Sequence, residues 1–252
     1  MRSIDTVLFD LDDTLHDDTD AYHRAARRVA DEVGAERGVD GARLYRNYVA
    51  EAQGFWKRLS IEYLAAGIHD ARIQLWYEAL RDAGLADREL AERCSVRYTR
   101  YRTDLLAPSP GAHDLLVALR ERGCKLGIVS NGFASTHHRK IDVLGLRPLV
   151  DATFLADEMG MVKPDPEVFV HACRSLGSEP ARTAMVGDRY DRDVIGAQMT
   201  GLFTVLIDVH AIPLPEGAVP PDVVVDTLAE VLDALPLAGR QEAYSEPPKR
   251  GS

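Results

Sequence analysis

VLFDLDDTL, residues 7–15, is the most informative stretch of this chain, because it reads as a buried strand that leads directly into carboxylates. Alternation along an extended strand places the side chains of Asp10 and Asp12 on the same side, a few ångströms apart. At about 4 Å and an effective dielectric of about 20, their repulsion is of order 4 kcal/mol. A divalent cation, or a proton held on one carboxylate, would relieve it. Either remedy indicates chemistry rather than packing.

The chain after residue 108 alternates between strand patterns and helix patterns. Short apolar runs typical of buried strands occur at 125–130, 152–155, 183–186, 203–207 and 223–225. Helical patterns separate most of these runs. Together with the strand before Asp10, this alternation predicts an α/β fold, a doubly wound parallel sheet covered on both faces. Such a sheet binds its ligands at the carboxyl ends of its strands.

The apolar positions between residues 17 and 107 follow helical periodicity almost throughout. One stripe runs from Ala21 to Val33 and ends before Gly34. Further helices are predicted over about 41–59, 70–83 and 87–103. This segment therefore forms a small helical bundle in our prediction.

The length of 252 residues is large for one compact domain and small for two, which favours a core with an insertion. We predict an α/β core of residues 1–16 and 108–236 and a helical cap of residues 17–107. The polar tail, residues 237–252, is predicted to be disordered.

The composition limits the classes of partner. A net charge of −10 and a pI near 5.3 argue against nucleic acid or an anionic membrane as the main partner. The cysteines, Cys94, Cys124 and Cys173, are far apart and lack metal-type spacing, so we expect reduced core thiols. No apolar run approaches membrane-spanning length, and no signal-peptide pattern opens the chain. We expect a soluble cytoplasmic protein.

Polar side chains follow two further strands of the predicted sheet. Ser130-Asn131-Gly132 comes after the strand at 125–130, and a hydroxyl, an amide and main-chain N–H groups there can bind a phosphate. Asp188 ends the strand at 183–186 after Gly187, with Asp193 five residues on. The sequence therefore predicts a second carboxylate cluster beside Asp10.

Lys163 precedes Pro164, and we expect this proline to begin a helix and so to fix the lysine in position. A fixed ammonium group could balance the charge of the carboxylates and of a bound phosphate.

These four segments resemble the four motifs of the haloacid dehalogenase (HAD) superfamily, in order and in spacing. They are DxDxT at residues 10–14, Ser130-Asn131-Gly132, Lys163-Pro164, and Gly187-Asp188 with Asp193. The helical insertion matches the type 1 cap of that family. The local sequence is similar to the branch that holds pyrimidine 5′-nucleotidase-like and N-acylneuraminate 9-phosphatase-like enzymes.

The resemblance implies a division of labour between the first two aspartates. Asp10 is implied to be the nucleophile that forms an aspartyl phosphate. Asp12 is implied to be the general acid and then the base, which requires a pKa raised by the neighbouring carboxylates. Mg²⁺ would bind the Asp10 carboxylate, the Asp12 carbonyl oxygen and Asp188.

The resemblance also implies supporting roles. Asp193 would orient a metal-bound water. Ser130, the Asn131 region and Lys163 would hold the transferring phosphoryl oxygens. Thr14 would support the loop and the orientation of Asp12.

Several residues keep two interpretations. Phe55, Trp56 and Lys57 could line a substrate pocket, although the sequence favours amphipathic bundle packing for them. His16 is interpreted either as a hinge residue or as a substrate contact. The adjacent His137 and His138 point in different directions on a helix, which favours surface or partner-facing positions over a metal site. Asp13 is interpreted as a loop residue, and Asp191 as a solvated helix-start or turn residue rather than a ligand.

The resulting hypothesis is a Mg²⁺-dependent hydrolase of a small phosphorylated metabolite, such as a nucleoside monophosphate or a sugar phosphate. A haloacid dehalogenase is an alternative, but those relatives generally lack the second acidic residue of the first motif, here Asp12. A phosphomutase of the same fold is another. A receiver-like phosphorylation switch is a non-enzymatic alternative, although its nucleophile follows the third strand rather than the first. The oligomeric state, monomer or homodimer, stays open.

Overall fold

The computed structural model describes residues 3–57, 68–209 and 211–237, and its centre is a sheet of six parallel strands. The strand order is β3-β2-β1-β4-β5-β6. The bounds are β1 Thr6–Phe9, β2 Lys125–Ser130, β3 Ala152–Leu155, β4 Thr183–Gly187, β5 Phe203–Ile207 and β6 Val223–Val225. The predicted α/β class with a doubly wound parallel sheet is confirmed, and β1 lies at its centre.

Strand β1 sets the register that brings the functional loops together. Phe9 pairs with Ile128 of β2 on one side and with Val186 of β4 on the other. The carboxyl ends of β1, β2 and β4 therefore lie next to one another, and the polar residues that follow them meet at one edge of the sheet.

Helices cover both faces of the sheet, because side chains on β1 alternate between two apolar clusters. Val7 and Phe9 belong to one cluster and Leu8 belongs to the other. The covering helices are α5 Ala112–Glu121, α6 Ala134–Val143, α7 Ala156–Met159, α8 Pro166–Ser175, α9 Ile195–Met199 and α10 Leu228–Ala234.

Four helices between β1 and β2 pack into a separate apolar cluster, which we call the bundle. They are α1 Asp18–Arg37, α2 Gly41–Lys57, α3 Ile68–Asp82 and α4 Arg88–Asp104. The rings of Tyr48 and Trp76 stack at its centre with centroids 4.0 Å apart, and Tyr98 packs against both. The predicted helices agree with these bounds within a few residues, while residues 58 and 59 lie outside the described part of the chain.

The two connections between the bundle and the sheet run side by side. His16 pairs with Pro108 in an antiparallel bridge, and the Ser109 N–H donates to the Leu15 carbonyl at 2.9 Å. The division into residues 17–107 and a core of 1–16 and 108–236 stays a prediction that these paired connections support.

The predicted disordered tail, residues 237–252, includes one residue that is ordered in the structure, Leu237. Leu237 is buried and pairs with Ile4, because its side chain joins the apolar cluster beneath β1. Residues 238–252 lie outside the described residues. Cys94, Cys124 and Cys173 are free and buried, as predicted. Among the described helices, none is both long enough and apolar enough to cross a membrane.

Candidate active site

A cavity of about 570 Å³ opens at the carboxyl ends of β1, β2 and β4, between the sheet and the bundle. Its sheet side carries Asp10, Asp12, Ser130, Asn131, Lys163, Asp188 and Asp193. Its bundle side carries Tyr22, Tyr48, Phe55, Trp56, Lys57, Arg72, Tyr98 and Arg102. The structure therefore brings residues of all four predicted motifs to one cavity, and its volume lies in the range of small-molecule sites.

Three carboxylates form the acidic cluster of this cavity. One oxygen each from Asp10, Asp188 and Asp193 lies within 4.8 Å of the others, and all three residues are buried. Gly187 makes this approach possible, because a Cβ at that position would overlap the Asp193 carboxylate. The Arg189 N–H donates to Asp193 Oδ2 at 2.9 Å and fixes that side chain.

Lys163 is the cation of this cluster. Its Nζ donates to Asp10 Oδ1 and Asp193 Oδ1, each at 2.6 Å, and to the Val129 carbonyl at 2.8 Å. The side-chain amide of Asn131 holds the lysine main chain, since it accepts from the Lys163 N–H and donates to the Lys163 carbonyl, both at 2.7 Å. The side-chain amide of Asn131 is thus engaged by Lys163, so the main-chain N–H of Asn131 is the group that could bind a phosphate.

The expectation that Pro164 begins a helix is wrong. Helix α8 begins at Pro166, where the side chain of Asp165 accepts from the Glu167 N–H and caps the first turn. Lys163 is fixed instead through Asn131, as described above.

One lysine among three buried carboxylates leaves an excess of negative charge. Burial raises the pKa of Asp10 well above its usual value, and Asp193 and Asp188 add to the rise while Lys163 opposes it. Burial, with Asp193 next, raises the pKa of Asp188 to about 7. Carboxylate oxygens are the ligands that Mg²⁺ prefers, so this cluster fits a divalent cation.

This charge excess predicts the pH dependence of stability in EDTA. The pKa of Asp188 is about 7 in the folded protein and 3.8 at its ordinary value. Between these two pH values the folded protein keeps a proton on Asp188 that the unfolded chain has released. The free energy of unfolding should therefore fall as the pH rises through that window. Chemical denaturation at a series of pH values measures the slope.

Two variants test which group causes this pH dependence. Asp188→Asn should make the free energy of unfolding less dependent on pH. Asp191→Asn is the control, because the Asp191 side chain is exposed and pairs with Arg189, and it should leave the pH dependence unchanged. A slope that Asp188→Asn leaves unchanged would contradict the proton assignment.

The predicted pKa of Asp12 is wrong. Burial would raise the pKa of Asp12, but Lys140 and His137 outweigh it and hold the pKa well below its usual value. Strand β1 ends at Phe9 and Asp13 adopts a left-handed φ of 60°, so strand alternation does not extend through Asp12. Asp12 thus has partners separate from the acidic cluster of Asp10.

Lys140 and two histidine rings surround Asp12. Its Oδ1 accepts from Lys140 Nζ at 2.6 Å and lies 2.8 Å from His16 Nε2. Its Oδ2 lies 3.4 Å from His137 Nε2. Lys140 Nζ also donates to Asp18 Oδ1 at 2.8 Å, which connects helix α6 to the first residue of the bundle.

The surface assignment of His137 is wrong, since its ring is buried and lines the cavity. Gly132 accommodates it, because a Cβ there would overlap the imidazole. The Nδ1 atom lies 3.0 Å from the Phe133 carbonyl, which can only accept, so Nδ1 carries the proton and Nε2 faces Asp12. His138, its neighbour, lies on the exposed face next to Glu158.

Sequence reasoning missed Lys140, Asp18 and Arg102. Lys140 follows His137 by three positions, so the helix pattern could have placed the two on one face. Asp18 and Arg102 are 84 residues apart and meet only through the bundle, where the guanidinium donates to the carboxylate at 2.5 Å. A single sequence contains no pattern that pairs them.

The remaining predicted residues lie at the acidic cluster, at the cavity wall or behind it. Thr14 donates to Asp188 Oδ1 at 3.4 Å, and Ser130 is buried at the cavity wall. Trp56 and Lys57 line the cavity, which favours the pocket interpretation. His16 is fully buried beside Asp12 and does not line the cavity, which favours the interpretation as a hinge residue.

Comparison with known proteins identifies the family. Residues 4–201 match the model of the haloacid dehalogenase-like hydrolases, and the chain belongs to this family. It is 35% identical over 209 residues to a glyceraldehyde 3-phosphate phosphatase of Methanopyrus kandleri, covering 81% of this chain and 84% of that protein.

Two further similarities agree with the branch and the fold. The pyrimidine 5′-nucleotidase YjjG of Escherichia coli is 28% identical, over 86% of this chain and 91% of its own. The structure of the HAD-hydrolase YfnB from Bacillus subtilis, bound to magnesium, matches with a TM-score of 0.70 at 23% identity, over 92% of this chain and 98% of that one. The last similarity shows the shared fold.

Proposed function

We propose that this protein is a Mg²⁺-dependent hydrolase of small phosphate monoesters that works through an aspartyl phosphate on Asp10. The observation that carries the proposal is the separation of the two aspartates of the first motif. Asp10 belongs to an acidic cluster with Lys163, whereas Asp12 is paired with Lys140 outside that cluster. Asp10 is thereby suited to a metal and a nucleophilic role, and Asp12, held ionised by its partners, is suited to accept the proton of the attacking water.

The metal would be held by the carboxylates of Asp10 and Asp188 and by the main-chain carbonyl of Asp12, with Asp193 orienting a water. When bound, Mg²⁺ neutralises charge on the transferring phosphoryl group and keeps Asp10 ionised. The acidic cluster supports this assignment because a bound cation would offset its excess negative charge.

The phosphoryl oxygens would be bound by groups that follow β2 and by Lys163. Ser130 and Asn131 line the cavity and would offer a hydroxyl and a main-chain N–H, and the Lys163 ammonium already contacts Asp10 Oδ1 at 2.6 Å. Such donors stabilise the charge of the transition state because they are positioned before the substrate arrives.

Asp12 Oδ2 is the atom that would move the proton. Its Oδ1 is engaged by Lys140 and His16, while Oδ2 lies 3.4 Å from His137 Nε2. The resting carboxylate is the form that accepts a proton from the attacking water in the second step. A phosphate dianion in the cavity opposes the cations around Asp12 and favours the protonated form that the first step needs.

The bundle is the proposed cap, residues 17–107, because it closes the cavity opposite Asp10. Phe55 of the bundle packs against Phe133 of the sheet side with ring centroids 6.5 Å apart. Cap closure would exclude water and select the leaving group. The cytoplasmic location and the state of monomer or homodimer stay predictions.

A panel of phosphate monoesters, assayed with Mg²⁺ and with EDTA, tests the proposal. We expect release of inorganic phosphate that EDTA abolishes and Mg²⁺ restores. Release without any bisphosphate activator would separate a phosphatase from a phosphomutase. Halide release from 2-haloacids, with no phosphate release from any ester, would instead favour the dehalogenase alternative.

A further inference from the structure

Arg72 on helix α3 is a cation of the cavity wall with only weak partners. Its Nη1 donates to Thr99 Oγ1 at 3.3 Å and its Nη2 to Thr136 Oγ1 at 3.5 Å, both near the upper limit for a hydrogen bond. No carboxylate of the described residues lies within ion-pair distance of this guanidinium. Two of its five N–H groups thus have weak hydrogen bonds among the described residues, and its side chain lines the cavity where a ligand could meet it.

The neighbouring cations differ from Arg72 in this respect. Arg102 binds both oxygens of Asp18, and Lys140 binds Asp18 and Asp12. Arg102 and Lys140 thus share the two carboxylates of Asp18 and Asp12, and Arg72 takes part in neither ion pair. Burial and the nearby Arg102 lower the pKa of Arg72, which reports an unfavourable environment for its charge. An anion bound in the cavity would offset that cost.

A second polar group without a partner lies on the same wall. The Tyr22 hydroxyl is buried and has no hydrogen-bond partner within the described part of the chain. Both groups pack on the Tyr98 ring: the Arg72 guanidinium is 5.7 Å from its centroid and the Tyr22 ring 6.2 Å. A buried hydroxyl without a partner costs free energy that a ligand acceptor would recover.

We propose that Arg72 and Tyr22 bind a second anionic group on the leaving-alcohol part of the substrate. The preferred substrate is then a small phosphate ester that also carries a carboxylate or a second phosphate. A guanidinium fork matches either group in a bidentate geometry. The inference rests on the proposed phosphatase activity, because it places the phosphoryl group at Asp10 and the second anion at the bundle wall of the same cavity.

Matched pairs of esters test this inference. O-phosphoserine and O-phosphoethanolamine differ by one carboxylate, and 1,3-propanediol bisphosphate and 3-hydroxypropyl phosphate differ by one phosphate. We expect the wild-type enzyme to prefer the doubly anionic member of at least one pair, by roughly 10- to 100-fold in kcat/KM. The pair that shows the preference identifies the anion.

Arg72→Met should remove most of that preference, chiefly through KM for the doubly anionic ester. Arg81→Met is the matched control, because Arg81 lies on the same helix, is exposed and pairs with Asp82, and it should keep the preference. Arg72→Gln, which retains hydrogen-bond donors for Thr99 and Thr136, is a second variant in case the methionine variant does not fold. Thermal unfolding verifies each fold.

The outcomes separate this inference from the proposed function. A wild-type enzyme that hydrolyses phosphate esters without preferring either doubly anionic ester would overturn the inference alone. A preference that both Arg72 variants retain would overturn it as well. An enzyme that hydrolyses no phosphate ester would overturn the proposed function instead.

Discussion

Asp10→Asn is expected to lower kcat for phosphate ester hydrolysis by roughly 10⁴-fold or more, because an amide cannot form the aspartyl phosphate. The fold should persist, since the side chain keeps its size and its contact with Lys163. The loss of one of three clustered carboxylates relieves repulsion, so the variant in EDTA should be at least as stable as wild type. Steady-state kinetics and chemical denaturation provide the two readouts.

The matched control for Asp10→Asn is Asp191→Asn. Asp191 lies beside the same acidic cluster in sequence, but its side chain is 58% exposed and pairs with Arg189. This control should retain its activity. Full activity in Asp10→Asn would remove the nucleophile from the account, whereas a lost fold in that variant would contradict the charge argument.

Lys163→Met is expected to reduce both stability and activity. The Lys163 side chain is 2% exposed and its ammonium compensates Asp10 and Asp193, so its removal leaves buried carboxylates without this cation. Breaking a buried ion pair on one side typically costs about 3–5 kcal/mol. Loss of a donor to the transferring group should lower kcat by roughly 10²–10³-fold. Urea denaturation in EDTA and kinetics with saturating Mg²⁺ measure the two effects.

A double variant tests whether the stability lost in Lys163→Met comes from unpaired charge or from lost packing. Lys163→Met combined with Asp193→Asn should recover part of the lost stability, because one unpaired carboxylate is removed. Lys125→Met is the matched control, since Lys125 is an exposed residue that donates to the Leu176 carbonyl and should cost little. A Lys163→Met variant as stable as this control would show that the acidic cluster does not depend on the lysine.

The fold could be predicted because its determinants are local. Apolar runs of strand length and helical stripes fixed the alternation of elements, and the parallel class followed from that alternation. The site positions at Asp10, Ser130 and Asp188 are predictable for the same reason, because each lies at the carboxyl end of a strand that the pattern defines.

The part that could not be predicted depends on contacts between distant segments. Asp12 was assigned to the acidic cluster by strand alternation, but β1 ends at Phe9 and the chain turns at Asp13. The side chain then meets Lys140, which is 128 residues away in sequence. The sign of the Asp12 pKa shift changes with that partner, so no local pattern could have given it.

The most direct test of the account is the identification of the phosphorylated residue. The enzyme is mixed with Mg²⁺ and a phosphate ester that it hydrolyses, and the reaction is quenched in acid during turnover. Borohydride then reduces any acyl phosphate to an alcohol. Peptide mass spectrometry then locates the change. The account predicts homoserine at position 10, dependent on substrate and missing from Asp10→Asn. Reduction at another carboxylate during turnover, with Asp10 intact, would contradict it.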